Sequence, residues 1–91
     1  MGQIVEESQE SKLIHDNLYS SKVILYNDDY NSFDHVILCV MKICHKSRSE
    51  SMKITMTAHN TGKSVCFTGS MESCETVAEK MGSKNLTVSI E

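Results

Sequence analysis

The sequence predicts an α/β (α+β) fold: a two-layer sandwich with element order β-α-α-β-α-β, its three-stranded sheet packed on three helices. Three observations lead there. Three short segments are β-branched or alternate apolar with polar residues, as strands do. Three longer segments repeat apolar residues at three-four spacing, as helices with one buried face do. Clusters of Asn, Asp, Ser and Gly separate the six. Each helix has one apolar face, and a single sheet covering those faces is the economical arrangement. The chain has 91 residues, the size of one small domain. Hydrophobic residues make up 40%, and with two Phe and no Trp the core is expected to be aliphatic and Met-rich.

Residues 1–20 are rich in Ser, Glu and Gln without a sustained period, and read as a flexible tail preceding a domain over residues 21–91. Lys22 to Tyr26 reads as the first strand, bounded by Asn27-Asp28-Asp29. Asn31 is the expected N-cap of the first helix, with Asp34 in its first turn. Phe33, Val36, Ile37, Val40, Met41 and Cys44 form that helix's apolar face. Ser47-Arg48-Ser49-Glu50 fits a capping box for a second helix, with Met52, Thr55, Met56 and His59 on one face. Asn60-Thr61-Gly62-Lys63 is a helix stop, Gly62 being free to take positive φ. Ser64 to Thr68 reads as the second strand, broken by Gly69, and Ser70 as the cap of a third helix ending at Gly82. That helix buries Met71, Cys74, Val77, Ala78 and Met81. Leu86, Val88 and Ile90 then alternate with Thr87 and Ser89 in a half-buried strand.

Composition removes several function classes. A net charge of −3 with scattered basic residues argues against nucleic-acid binding. No apolar run approaches the ~20 residues of a membrane span. The opening residues Met1 to Glu7 lack the basic and apolar regions of a signal peptide, so a cytoplasmic protein is expected. Cys39, Cys44, Cys66 and Cys74 form no CxxC pair and are most simply small buried apolar groups. No metal and no cofactor is expected.

The most informative stretch is Asn27-Asp28-Asp29-Tyr30-Asn31-Ser32-Phe33-Asp34, where a strand hands over to a helix. Side chains at such a junction face solvent or a ligand, and here acceptors outnumber donors. The stretch therefore suits a cation or an amino group. Taken alone, Asp28-Asp29 is also a solvated turn, and His59 alone is also a structural histidine.

Lys22-Val23-Ile24-Leu25-Tyr26-Asn27-Asp28-Asp29-Tyr30, followed by Phe33-Asp34-x-Val36-Ile37 and later by His59-x-x-Gly62-Lys63-x-x-Cys66, resembles the signature of the ClpS family. The resemblance covers about residues 22–91 and is similar to the compact forms of some bacteria. It implies an adaptor of the N-end rule, not an enzyme. Such an adaptor binds the first residue of an N-degron (Phe, Tyr, Trp or Leu) and delivers the substrate to a Clp-type AAA+ protease. It also implies the sandwich fold shared with the C-terminal domain of the ribosomal stalk protein. By motif position, Asn27, Asp28 and His59 would hold the α-amino group. Asn31, Phe33, Val36, Thr55, Ala58 and Leu86 would line the side-chain pocket, and Tyr30 and Glu72 would dock on the ATPase N-domain. Thr55 and Ala58 stand where members often carry Met and Val, and Val77 where a Lys is common.

These roles make chemical sense. An ammonium has three donors and wants converging acceptors, which Asn27, Asp28 and neutral His59 offer. An internal peptide N–H has one donor and no charge. Burying one Leu or Phe side chain beside it contributes ~1.5–3 kcal/mol. Three alternatives stand beside this reading: a stalk-like protein-interaction module without an amine pocket, a sequestering N-degron binder that does not deliver, and a small metal or thiol enzyme using His59 with Cys66. No nucleophile, base and orienting group are visible together for the last.

Overall fold

The computed structural model describes residues 20–91, so the tail expected at the N-terminus lies outside the described residues. The element order is β1 (Ser20–Tyr26), α1 (Phe33–Ile43), α2 (Arg48–Thr61), β2 (Lys63–Ser70), α3 (Met71–Ser83) and β3 (Val88–Ile90), as the sequence predicts. β1 is the central strand of an antiparallel sheet ordered β2-β1-β3. It begins two residues before the strand expected from Lys22, because Ser20 and Ser21 still pair with Ser70 and Gly69. Val23, Leu25, Val40, Cys66, Cys74 and Met81 form the centre of the core between sheet and helices. All four cysteines are free and buried.

Pairing of β1 with β2 slips between Val23, opposite Phe67, and Ile24, opposite Val65. Cys66 is the extra residue of this bulge. Its side chain is fully buried and its thiol donates to the Val23 carbonyl (3.5 Å). A hydrogen bond with Cys44, reinforced by burial, pushes the Cys66 thiol far up. A thiol held protonated in the core, with His59 exposed to solvent, does not form a nucleophile–base pair.

Several local expectations are corrected. The N-cap of α1 is Ser32, whose hydroxyl accepts from the His35 N–H (3.2 Å). Asn31 is drawn instead to Asp28 and Asn85. On α2 the buried residues are Ser51, Thr55 and Ala58, while Met52 and Met56 are half exposed. A stripe of short side chains lets α2 lie close against α1 and β2, which turns the longer methionines outward. Met71 likewise stays exposed at the start of α3. Gly69 does not break β2. It pairs with Ser21, and the Phe67 ring lies against it, 3.0 Å from where a Cβ would stand. Gly82 sits inside α3, and Asn85 takes the left-handed conformation beyond its end (φ 67°).

The other capping expectations hold. Ser47 accepts from the Glu50 N–H (3.1 Å), Ser70 from the Ser73 N–H (3.1 Å), and Gly62 closes α2 at φ 97° with its N–H on the Ala58 carbonyl. Replacing Gly62 places a Cβ in the left-handed region, where the surroundings are open and only the backbone objects. Gly62→Ala is expected to lower unfolding free energy by ~1–2 kcal/mol in urea titrations without changing the m-value. An unchanged midpoint would show that this turn relaxes freely.

Candidate functional site

A cavity of about 200 Å³ opens where the end of β1, the start of α1 and the last turns of α2 meet. Each wall follows from local structure. β1 ends in Leu25 and Tyr26 and passes into the turn Asn27-Asp28-Asp29, which forms one side. α1 contributes Phe33 and Val36, one turn apart on the same face. α2 contributes Thr55, Ala58 and His59. Asn27 is fixed beside the end of α2 because its N–H donates to the Gly62 carbonyl (3.0 Å). Phe33 and His59 meet edge to face, with ring centroids 5.0 Å apart and an interplanar angle of 66°. This contact joins the two helices at the rim.

Asp28 organises the acidic turn. One carboxylate oxygen accepts from the backbone N–H groups of Tyr30 (3.0 Å) and Asn31 (2.8 Å), an Asx-type turn. The Asn31 amide donates to both carboxylate oxygens (3.2 and 3.0 Å) and to the Asn85 carbonyl (2.9 Å). Burial pushes the Asp28 carboxyl up. The Asn31 side chain, the two backbone donors and the nearby His35 outweigh it and hold the group below its ordinary 3.8. The turn thus presents a firmly ionised carboxylate whose second oxygen still has room for a donor.

The structure gathers Asn27, Asp28, His59, Asn31, Phe33, Val36, Thr55 and Ala58 around this one cavity. Leu86 is not among the lining residues. It is 5% exposed and belongs to the core, its N–H bonded to the Met81 carbonyl. Tyr30 and Glu72 also stand apart from the cavity. Tyr30 is 98% exposed, and Glu72 lines a separate groove with His45, Phe67, Val77 and Lys80.

Sequence reasoning missed Leu25, Tyr26 and Asp29 as wall residues and Asn85 and His35 as supports. The His35 ring nitrogen bonds the Lys84 carbonyl (3.0 Å), so α1 and the turn before it are each tied to the loop before β3. Asn85 was discoverable in principle, since an Asn just past a helix favours the left-handed conformation. Among the described residues no group of three or more His, Cys, Asp or Glu could hold a metal. Among them no helix is long and apolar enough to cross a membrane.

A cavity with apolar walls, rimmed by an ionised carboxylate, a carboxamide and an imidazole, has the chemistry that suits a cationic group attached to an apolar one. Comparison with known proteins gives the class a family. A family model described as "ATP-dependent Clp protease adaptor protein ClpS" matches residues 16–89, and the chain belongs to that family. The ATP-dependent Clp protease adapter protein ClpS of Oleidesulfovibrio alaskensis is 40% identical over 55 residues, 60% of this chain and 53% of the relative. That of Shewanella piezotolerans is 40% identical over 62 residues, 68% of this chain and 59% of the relative. The match thus spans little more than half the length of these relatives. The structure of Agrobacterium tumefaciens ClpS2 bound to L-phenylalaninamide superposes with a TM-score of 0.74 at 26% identity, over 80% of this chain and 95% of that one.

The depressed Asp28 carboxyl carries a test of the site's architecture. A group lowered by folding contributes stability that is complete above its unfolded value of 3.8 and is lost as pH falls through its folded value. Carboxyl-detected NMR is expected to place the Asp28 midpoint below 3.8, with Asn31→Ala moving it upward. A midpoint that ignores the Asn31 substitution would remove Asn31 as the organiser of the turn.

Proposed function

We propose that the chain is an N-degron adaptor: it binds the free α-amino group and the bulky hydrophobic first residue of a substrate and delivers it to a Clp-type AAA+ protease. The observation that carries this reading is the ionised Asp28 carboxylate at the mouth of an apolar cavity, with Asn27 and His59 beside it. The ammonium takes the Asp28 charge, the Asn27 carbonyl and a His59 ring nitrogen. The first side chain enters between Phe33, Val36, Thr55 and Ala58. The bound molecule in the Agrobacterium ClpS2 structure, L-phenylalaninamide, has the same two parts: a free amine and one bulky apolar side chain. A stalk-like interaction module would have no use for three converging acceptors around an apolar hole.

Delivery requires a second surface. Tyr30, almost wholly exposed, and Glu72, at the start of α3, are the docking residues in this reading. Val77, where relatives often carry Lys, is buried. Lys80, one turn further along α3 in the same groove as Glu72, is the cation available there.

Asp28→Asn tests the amine site without dismantling the turn, because the Asn side-chain carbonyl still accepts from the Tyr30 and Asn31 N–H groups. A charge-assisted hydrogen bond contributes ~1.5–3 kcal/mol and a neutral one about half that. Asp28→Asn should therefore weaken a Phe-starting peptide by about tenfold in anisotropy titrations, with the melting temperature little changed. Acetylating the peptide should remove measurable binding. Equal affinity of free and acetylated peptides would refute the amine site. For delivery, Tyr30→Ala and Glu72→Lys should leave peptide affinity within about threefold, under ~1 kcal/mol. Both should slow degradation of an N-degron reporter by a cognate Clp protease. Degradation at the unaltered rate by both variants would favour a sequestering binder or a different docking face.

A further inference from the structure

Among the described residues, Thr55 is the one that lines the cavity and has a buried polar atom without a hydrogen-bond partner. The residue is 5% exposed, and its Oγ1 bonds neither protein backbone nor side chain. Helical threonines ordinarily relieve this by bonding the carbonyl four residues back. Two others in this fold do so: Thr61 to the Thr57 carbonyl (2.7 Å) and Thr76 to the Glu72 carbonyl (3.2 Å). Both are exposed, where water would have served them anyway. The buried threonine, which needs the bond most, does not make it.

No group of the surrounding wall bonds the hydroxyl. Val36, Ala58, Leu25 and Phe33 are apolar. The Asn31 amide hydrogens are committed to Asp28 and the Asn85 carbonyl. Ser51, one turn back on α2, is itself buried and unpartnered. A rotation about χ1 exchanges the Thr55 methyl and hydroxyl in the wall, and threonine in a helix populates both arrangements readily. Thr55 also stands four residues before His59, about 6 Å along the helix axis. With an α-amino group held at His59 and Asp28, that distance is of the order of a phenolic side chain's reach.

Resting on the N-degron reading, we infer that Thr55 is a specificity-determining residue that favours a first side chain ending in a hydroxyl, so that tyrosine is preferred over phenylalanine. A phenylalanine ring filling the cavity leaves the Thr55 hydroxyl buried and without a partner, as it stands in the empty cavity. A tyrosine enters with the same ring, and its O–H donates to Thr55 Oγ1 or accepts from it. The discrimination is the net gain of one neutral hydrogen bond, about three- to tenfold in affinity.

The test uses the full chain and two peptides identical except for Tyr or Phe at position one, each with a free or acetylated N-terminus, titrated by fluorescence anisotropy. Wild-type protein should bind the free Tyr peptide about three- to tenfold more tightly than the free Phe peptide. Thr55→Val, which keeps the shape and removes the hydroxyl, should bring the ratio to one or below by weakening Tyr and sparing or tightening Phe. Thr55→Ser, which restores the hydroxyl, should restore the preference. A wild-type ratio of one or below with the amine dependence intact overturns this assignment and leaves the adaptor reading standing. So does a preference that survives in Thr55→Val. Equal binding of free and acetylated peptides overturns the adaptor reading and the assignment with it.

Discussion

The Asp28 carboxylate and the Asn31 amide are the interaction on which the site depends. Asp28 turns the chain by accepting from two successive backbone N–H groups. Asn31 then clamps that carboxylate and reaches across to the Asn85 carbonyl. One small network thereby fixes where β1 stops, where α1 starts and where the loop before β3 lies. It also sets the charge state, since the same donors that shape the turn keep the carboxylate ionised. A structural turn and a ligand site are therefore compatible readings of these residues. The bonds that make Asp28 structural leave it charged, anchored and pointed at the cavity mouth.

Such a site needs little motion. Asn27 is held by the Gly62 carbonyl, Asp28 by the turn, and His59 by its place in the last turn of α2 against the Phe33 ring. In the proposed reading, acceptors held in place before an ammonium arrives lose little rotamer freedom on binding. The apolar wall is likewise set by backbone packing, with short side chains on α2 and Val36 on α1. The pocket's width follows from the stripe of Ser51, Thr55 and Ala58 that lets the helices approach.

The fold was legible in the sequence because its signals are local. Ser47, Ser70 and Gly62 act within one turn of themselves, and the period of each apolar run needs no knowledge of its neighbours. The six elements and their order follow from that. Met52 and Met56 share a predicted face with the buried Thr55 and yet stand half exposed, because periodicity gives a face and not its depth. Which residues turn inward depends on how closely α2 can approach, and small residues decide that in three dimensions. From sequence Asn31 reads as the helix cap for a related reason. Its competing partners are three residues back and fifty-four residues ahead, and only the second, Asn85, lies beyond the reach of a local rule. The amine and pocket residues named from the motif share one cavity, with Leu86 the exception: alternation marks it as inward-facing, which serves a core and a pocket wall equally well.

The distinction between core and pocket is sharpest at Thr55. A buried threonine in a core would be expected to bond backward along its helix, as an unpaired hydroxyl there gains nothing for the fold. Beside a cavity the same hydroxyl needs only a turn about χ1 to face an occupant. Ser51 is the useful contrast. It is equally buried and equally unpartnered, but it does not line the cavity, and its small volume serves the approach of α2 to the helix and sheet beneath it. Two orphaned hydroxyls one turn apart therefore have different meanings, and what separates them is a neighbouring empty space.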